Sequence, residues 1–315
     1  QHQNNVQALM TLLKSWARDL GGIHNRSVDS HFLESSRDRN KNAPISLKEK
    51  TKDESSSPFD CGTEAEVRKQ YKNSDKLNRN VNDGNLRRFR LALSVSGDYS
   101  QVFLDGTEAD DVERKTKVLQ AMVGSVNRLN GIFERDLGIT MQLIANTDLF
   151  IFLNPETDPY STQINLRSEL SNTINTIIDD NDYDVGHLFH KENAIYGNAG
   201  CIACVCTSVD KGKAYSVHRN PDEDGMNLLA AHEFGHQFGA YHTQSSSNCR
   251  SGYNSEVEPG SGSTIMSYAG ICSPNVQESS DDYFNYTSIR DIALWTINNS
   301  NCAELLPIDN QAPTV

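Results

Sequence analysis

The sequence predicts an α/β fold with an upper part of alternating strands and helices and an irregular lower part supported by disulfides. Between residues 88 and 190, segments in which apolar and polar residues alternate are interspersed with segments whose apolar residues recur every three or four positions. Beyond residue 242 the chain is rich in Ser and Gly, and it carries Cys249 and Cys272. A chain of 315 residues with 37% hydrophobic residues is long enough to bury a sizeable core of its own.

The N-terminal part of the chain differs in composition from the rest. Residues 5–20 have apolar side chains at steps of three and four positions, which predicts a short amphipathic helix ended by Gly21 and Gly22. Residues 35–58 are polar and charged, with too little apolar surface to fold alone. We therefore expect a linker or an extended strap before the folded part.

The regular elements begin with an alternating pattern that predicts a half-buried strand over 88–97. A long helix follows, with apolar residues at helical spacing from Val112 to Phe133, and Gly138 is expected to end it. The further elements are two strands, a helix, a strand and a late helix, at 139–146, 149–153, 165–179, 184–190 and 288–299.

Charge and cysteine usage limit the class of protein. The chain has 42 acidic and 29 basic residues, a net charge of -13, which argues against nucleic acid or an anionic membrane as partner. No apolar run reaches the about 20 residues that a membrane helix needs, so we expect no membrane span. Seven cysteines, spread too widely for a zinc finger, favour an oxidising compartment and a secreted protein. Their odd number leaves at least one unpaired in the monomer that we expect.

The stretch LLAAHEFGHQFGAYH, residues 228–242, concentrates the residues that carry chemistry. Residues four apart lie on one face of a helix, so His232 and His236 can hold one ion between them, with Glu233 beside them. Gly239 can take a left-handed conformation that ends the helix and turns His242 back toward the same ion.

Three neutral imidazoles suit Zn²⁺, and three protein ligands leave a fourth position for water, as in catalytic sites. Zinc lowers the pKa of that water toward about 7. Glu233, adjacent but not a ligand, is placed to act as general base when the water attacks a carbonyl carbon. It would then carry the proton to the leaving amine.

With these residues in place, the sequence resembles the metzincin clan of zinc endopeptidases, whose extended motif is HExxHxxGxxH. The segment STIMSYAGIC resembles the clan's Met-turn, and Met266 corresponds to the methionine below the zinc. Two further segments, YGNAGCIACVC and EPGSGSTIMSYAGIC, are similar to reprolysin-like (adamalysin-type) catalytic domains, particularly secreted bacterial members. The resemblance covers about residues 86–302.

The resemblance implies an upper subdomain with helices and a mixed, mostly parallel sheet over 86–242, and an irregular lower subdomain over 243–306. A cleft divides the two subdomains. An extended polypeptide substrate would pair with the main chain of an upper edge strand. This edge strand is expected to consist of Asn198, Ala199, Gly200, Cys201, Ile202 and Ala203.

The chain departs from the animal reprolysins at two positions. They commonly have Asp after the third His, whereas this chain has Thr243. Their Met-turn does not usually read Met-Ser-Tyr, and Tyr268 instead resembles the tyrosine of astacins and serralysins that ligates the metal or binds the oxyanion. The alternative is a tyrosine that only packs in the turn.

The segment PFDCGTE resembles the short Cys-Gly segment with which many metzincin propeptides cap their zinc. A Cys61 thiolate would be a fourth zinc ligand in place of the water, so residues 1–85 would form a pro-segment with its strap and the chain a zymogen. The alternative is that Cys61 forms a disulfide. We expect Cys249 to pair with Cys272. Structural pairing is also expected among the remaining cysteines, with open connectivity, namely Cys201, Cys204, Cys206 and Cys302.

Other features leave alternatives open. The acidic run DDNDYD, residues 179–184, has oxygen ligands for Ca²⁺ but lacks a full loop pattern, and a solvated acidic loop is the alternative. Residues 307–315 resemble the start of a linker to a further module. In function, the alternatives to a zinc endopeptidase are a catalytically silent binding or adhesion module and a non-peptidase zinc hydrolase. The intact Glu233 favours an enzyme.

Overall fold

The computed structural model describes residues 60–61, 63, 83–161, 164–208, 210–222, 224–250, 252–299 and 301–309. The helix predicted over 5–20 and the strap predicted over 35–58 lie outside these residues. Residues 45–315 form one compact unit, which contains every described residue.

The described residues form one seven-stranded mixed sheet, as predicted. Its strands are β1 (Asp60–Cys61), β2 (Asn85–Val95), β3 (Ile139–Leu143), β4 (Val185–His190), β5 (Tyr196–Asn198), β6 (Ala214–Val217) and β7 (Glu304–Pro307). Their order is β1-β5-β6-β4-β2-β3, and β7 pairs with the start of β2. Four of the six pairings are parallel, while β5 with β6 and β7 with β2 are antiparallel.

Five α-helices accompany the sheet in the described part: α1 (Gly97–Gln101), α2 (Asp111–Leu137), α3 (Leu166–Ile177), α4 (Asp224–Gln237) and α5 (Tyr286–Asn299). The 27-residue α2 begins where the Asp110 carboxylate accepts hydrogen bonds from the amides of Val112 and Glu113. It ends at Gly138, whose φ of 63° is left-handed, so this prediction is confirmed.

A cluster of aromatic rings fixes α4 against α2 and the sheet. The Phe133 ring of α2 packs edge-on against Phe234 of α4 at 6.4 Å between centroids, and it lies 5.7 Å from Phe238. Phe238 in turn packs edge-on against Phe89 of the central strand β2, at 5.0 Å. All four rings are fully buried. Such pairs add about 0.5–1.5 kcal/mol to the burial of their surface, so the helix is held firmly in position.

One predicted strand is wrong. The segment 149–153 is not a strand, because residues Thr147–Phe150 form a 3₁₀-helix and Ile151 makes only a single bridge to Val95. The Thr147 hydroxyl donates to the Ile144 carbonyl at 2.7 Å, a local bond that competes with strand pairing. The periodicity of a short apolar run cannot distinguish a strand from a buried helical segment. Strands β6 and β7 were not predicted.

Six of the seven cysteines, all of which are described, form disulfides. The expected Cys249–Cys272 bond is present, and the others join Cys201 to Cys204 and Cys206 to Cys302. The expected structural pairing among these cysteines is therefore confirmed. Cys61 is the free cysteine, so the alternative of a Cys61 disulfide is wrong.

The acidic run 179–184 does not offer a calcium site. Asp184 is buried and forms a salt bridge with Arg90 at 2.6 Å, and Asp180 pairs with Lys211 at 3.2 Å. Cationic side chains therefore pair with two of the four carboxylates in the run, and calcium is not supported.

Candidate metal centre

Helix α4 carries the first two histidines and the glutamate into the interior. His232 is 4% exposed, while Glu233 and His236 are fully buried. The helix ends at Gln237, and Gly239 has a φ of 116°, which an L side chain rarely adopts. The turn that follows, closed by a hydrogen bond from Ala240 N to Gly235 O at 2.9 Å, returns the chain toward His242. Gly239 therefore has a positive φ at the point where the chain turns.

Each of the three histidine rings directs its Nε2 atom toward the Nε2 atoms of the other two. The Nε2 atoms of His232 and His242 are 3.2 Å apart, those of His236 and His232 also 3.2 Å, and those of His236 and His242 3.0 Å. His232 Nδ1 donates to Ile265 O at 2.7 Å, and His236 Nδ1 donates to Ala240 O at 2.8 Å. Because these two rings carry their proton on Nδ1, their Nε2 lone pairs face the common point, as metal ligation requires.

Burial keeps these imidazoles neutral. It lowers the pKa of His232 to about 4 and the pKa values of His236 and His242 well below the ordinary value. For His236 and His242, the neighbouring histidines add to the effect of burial. A neutral imidazole is the form that binds a metal ion.

Cys61 lies beside the histidines. Its Sγ is 3.6 Å from His236 Nε2 and 3.9 Å from Glu233 Oε2. The ligand atoms of Cys61 and the three histidines all lie within 4.8 Å of one another. Burial, and next the charge of Glu233, raises the pKa of the Cys61 thiol well above its usual value. Three imidazoles and a thiol are a donor set that fits Zn²⁺.

The residues around Cys61 cover the edge of the sheet. Strand β1 pairs in parallel with β5, with Cys61 opposite Gly197. Two residues further on, the buried Thr63 accepts a hydrogen bond from Ala199 N at 2.8 Å and donates one to Glu233 Oε2 at 3.1 Å. Thr63, which stands directly after the Cys-Gly pair, was not among the residues predicted from the sequence.

Gly197 leaves room for the glutamate. A Cβ atom added to Gly197 would lie 2.7 Å from both Cγ and Cδ of Glu233 and would overlap its Oε1. No real Cβ comes so close, so a side chain at this position would displace the carboxylate. In the sequence, Gly197 stands in the segment YGNAGCIACVC, just before the predicted edge strand, and its role was not predicted.

The Met-turn lies against the other side of α4. Met266 is fully buried, and a Cβ atom added to Gly235 would overlap its Sδ. The preceding residue supplies the carbonyl that accepts from His232, and Thr243 N donates to Met266 O at 3.1 Å. The half-buried Tyr268 ring lies 4.7 Å from the His242 ring and 6.2 Å from the His232 ring, between centroids.

The predicted edge strand Asn198–Ala203 is wrong in its extent. Strand β5 covers Tyr196–Asn198 and so shares only Asn198 with it. Gly200 and Ala203 have positive φ angles of 76° and 63°, and the Cys201–Cys204 disulfide closes this segment into a turn.

The amides of this turn cap the end of α4. Ala203 N donates to His236 O and Cys204 N donates to Gln237 O, both at 2.9 Å. The carbonyls at the end of a helix have no partner within it. The turn supplies donors for them, which explains why residues 199–203 do not continue the strand.

The two other histidines of the predicted strand 184–190, His187 and His190, are buried. His187 Nδ1 lies 3.0 Å from Gln237 Oε1, and its Nε2 lies 2.9 Å from Ser216 Oγ. The imidazole stacks on Phe234 at 4.3 Å, and burial lowers its pKa to about 4. His187 is therefore a packing residue between the sheet and α4.

The fold and the histidine-cysteine cluster define a metzincin-like metallopeptidase domain. A model of the reprolysin-like metallopeptidase family M12B matches residues 86–294, more than half of the chain, so the chain belongs to this family. Among the described residues, no helix is both long and apolar enough to cross a membrane.

Solved structures show distant similarity. Metalloproteinase-II from Bacteroides fragilis matches with 11% identity and a TM-score of 0.38, over 67% of this chain and 54% of its own. A structure of a chaperone-substrate complex matches with 14% identity and a TM-score of 0.38, over 66% of this chain and 36% of its own. The chain thus spans about half the length of the first matched protein chain and about a third of the length of the second. The comparison with curated proteins gave no match.

Proposed function

We propose that this chain is a secreted zinc endopeptidase that hydrolyses peptide bonds and is held latent by its own N-terminal segment. The observation that carries the proposal is the convergence of three Nε2 atoms, 3.0 to 3.2 Å apart, next to the buried Glu233. The three disulfides support an oxidising, extracellular location.

His232, His236 and His242 would hold the zinc ion. The hydrogen bonds of His232 and His236 through Nδ1 support this, because such second partners orient a ligand ring. When bound, zinc lowers the pKa of water and polarises the carbonyl group of the substrate.

Glu233 would serve as the general base. Its carboxylate takes the proton of the attacking water and returns it to the nitrogen of the leaving amine. Gly197 leaves space for the carboxylate on the side of the edge strand. Tyr268, half-buried beside His242, is our candidate for a hydroxyl that stabilises the oxyanion.

Latency would rest on three contacts of the N-terminal segment. Cys61 Sγ, 3.6 Å from His236 Nε2, would be the fourth ligand. The Thr63 hydroxyl hydrogen-bonds to the same Glu233 carboxylate that must accept the proton of water. Strand β1 pairs with β5, the edge to which an extended polypeptide substrate would add as a strand. A substrate would need all three positions, so release of residues 60–63 should activate the enzyme.

The test compares the folded full chain before and after cleavage at a specific protease site introduced between residues 64 and 82. We expect one equivalent of zinc in the uncleaved chain and hydrolysis of a denatured protein substrate only after cleavage. The Cys61→Ala variant should be partly active without cleavage. The uncleaved Thr63→Val variant should show less activity than uncleaved Cys61→Ala. Thr176→Val, at an exposed position of α3, is the control and should change nothing.

Two outcomes would contradict the proposal. Equal activity of the uncleaved and cleaved chains would exclude latency. Bound zinc without hydrolysis in either form would instead favour a catalytically silent binding module.

A further inference from the structure

A buried carboxylate, Glu258, lies in the loop between the third histidine and the Met-turn. It is 6% exposed. We propose that Glu258 is a positioning residue for the metal centre, which holds the segment after His242 and the segment before Met266 in one arrangement. This inference rests on the proposed function of the histidine cluster.

Both oxygens of Glu258 accept hydrogen bonds. Oε2 accepts from the hydroxyls of Thr243 and Thr264, the latter at 2.7 Å. Oε1 accepts from the amides of Ser263 and Thr264, both at 3.2 Å. The Ser263 hydroxyl also donates to Oε1, at 3.4 Å. An ionised carboxylate only accepts hydrogen bonds, and here it meets five donors. The backbone adds a bond from Glu258 N to Thr243 O at 2.9 Å.

These contacts lead directly to the metal ligands. Thr243 is the next residue after His242, and its amide donates to Met266 O at 3.1 Å. Thr264 immediately precedes Ile265, whose carbonyl accepts the Nδ1 proton of His232 at 2.7 Å. A single carboxylate therefore connects the segment that carries one ligand with the segment that orients another.

The sequence offers a reason why the carboxylate comes from this position. Thr243, the residue after the third histidine, has a hydroxyl and no charge of its own. Glu258, 15 residues further along, brings a carboxylate to its hydroxyl. Without Glu258 the amides of Ser263 and Thr264 would lose their acceptor, and an unsatisfied buried group is costly.

The test measures the zinc dissociation constant of the full chain by competition with a chromophoric chelator. Glu258→Ala should weaken zinc binding about 10- to 100-fold, as expected for the loss of a partner that orients ligands. Glu258→Gln should largely retain it, because the amide oxygen accepts from Ser263 and Thr264 while the NH₂ group donates to the two hydroxyls. Thr243→Val removes one donor at nearly constant volume and should give a smaller loss, which keeps the proposal testable if Glu258→Ala does not fold.

Glu256→Ala is the matched control. The Glu256 side chain is 1% exposed, pairs with Arg250 at 2.7 Å and accepts a hydrogen bond from the Gly252 amide in the same loop. It should lower the melting temperature without changing zinc affinity. With Co²⁺ in place of zinc, the visible absorption bands should shift in Glu258→Ala and not in Glu256→Ala.

Equal zinc affinity in Glu258→Ala and the wild type, or equal losses in Glu258→Ala and Glu256→Ala, would overturn the positioning role. If the cleaved wild type then still hydrolyses protein, the proposed function stands. Conversely, weaker zinc binding in Glu258→Ala with no hydrolysis by the cleaved wild type would refute the proposed function alone. A wild-type chain that binds no zinc would overturn both.

Discussion

Replacing Gly235 by Ala tests how closely the Met-turn supports helix α4. Gly235 lies between the two histidines of the helix. A Cβ atom there would overlap Met266 Sδ and would lie 3.0 Å from Phe284 Cε1. Met266 is fully buried and Phe284 is 3% exposed, so neither side chain can move into solvent without cost.

The expected magnitude follows from a comparison with Gly124. Gly124 lies in α2, is exposed, and has no atom within 4 Å of an added Cβ. In both helices Ala gains about 0.8–1.0 kcal/mol of helix propensity over Gly. At Gly235 this gain is offset by overpacking, which costs about 1–3 kcal/mol. The free energies of unfolding of Gly235→Ala and Gly124→Ala should therefore differ by about 1–3 kcal/mol.

The assay is urea unfolding of both variants at equilibrium with the metal removed, so that zinc affinity does not enter the comparison. The double variant Gly235→Ala with Met266→Ala should lose less stability than the sum of the single changes, because the steric conflict is gone. If Gly235→Ala and Gly124→Ala have the same free energy of unfolding, the close packing of Met266 under the helix is refuted.

Two further predictions concern Glu233 and His187. Gly197→Ala should displace the Glu233 carboxylate and lower kcat/KM of the cleaved enzyme about 100-fold with zinc content unchanged; an unaffected kcat/KM would contradict the close approach. His187 has a pKa of about 4 in the folded chain and 6.5 in the unfolded chain, so on acidification the unfolded chain binds the proton first. Its contribution to stability is complete above pH 6.5 and is lost toward pH 4, at about 1.4 kcal/mol per pH unit. The pKa values of His232, His236 and His242 are lowered as well. Urea unfolding of His187→Gln across this range should therefore show a slope smaller than that of the wild type by this amount, and an unchanged slope would assign it to other groups.

The features that the sequence predicted are those encoded by local spacing. His232 and His236 are one helical turn apart, and the end of α2 at Gly138 and the turn at Gly239 each depend on one residue's backbone. The pairing of Cys249 with Cys272 spans 23 residues. Each of these follows from the geometry of a short segment, without knowledge of the rest of the fold.

The features that were missed or wrong depend on contacts between distant parts of the chain. Thr63 and Glu233 are 170 residues apart, and β7 joins β2 across more than 200 residues. Residues 199–203 do not continue strand β5, because the amides of their turn supply hydrogen-bond donors to the end of α4. Only the folded structure reveals that requirement. Glu258 has no motif of its own, since its role depends on where Thr243 and the Met-turn meet.

The central claim, that Glu233 is the base in hydrolysis at the histidine cluster, is tested most directly by Glu233→Gln in the cleaved chain. The measurement is zinc content together with kcat/KM on a denatured protein. We expect one equivalent of zinc to remain and kcat/KM to fall about 100- to 10,000-fold, the usual contribution of a general base. Activity within a few-fold of the wild type would contradict this mechanism.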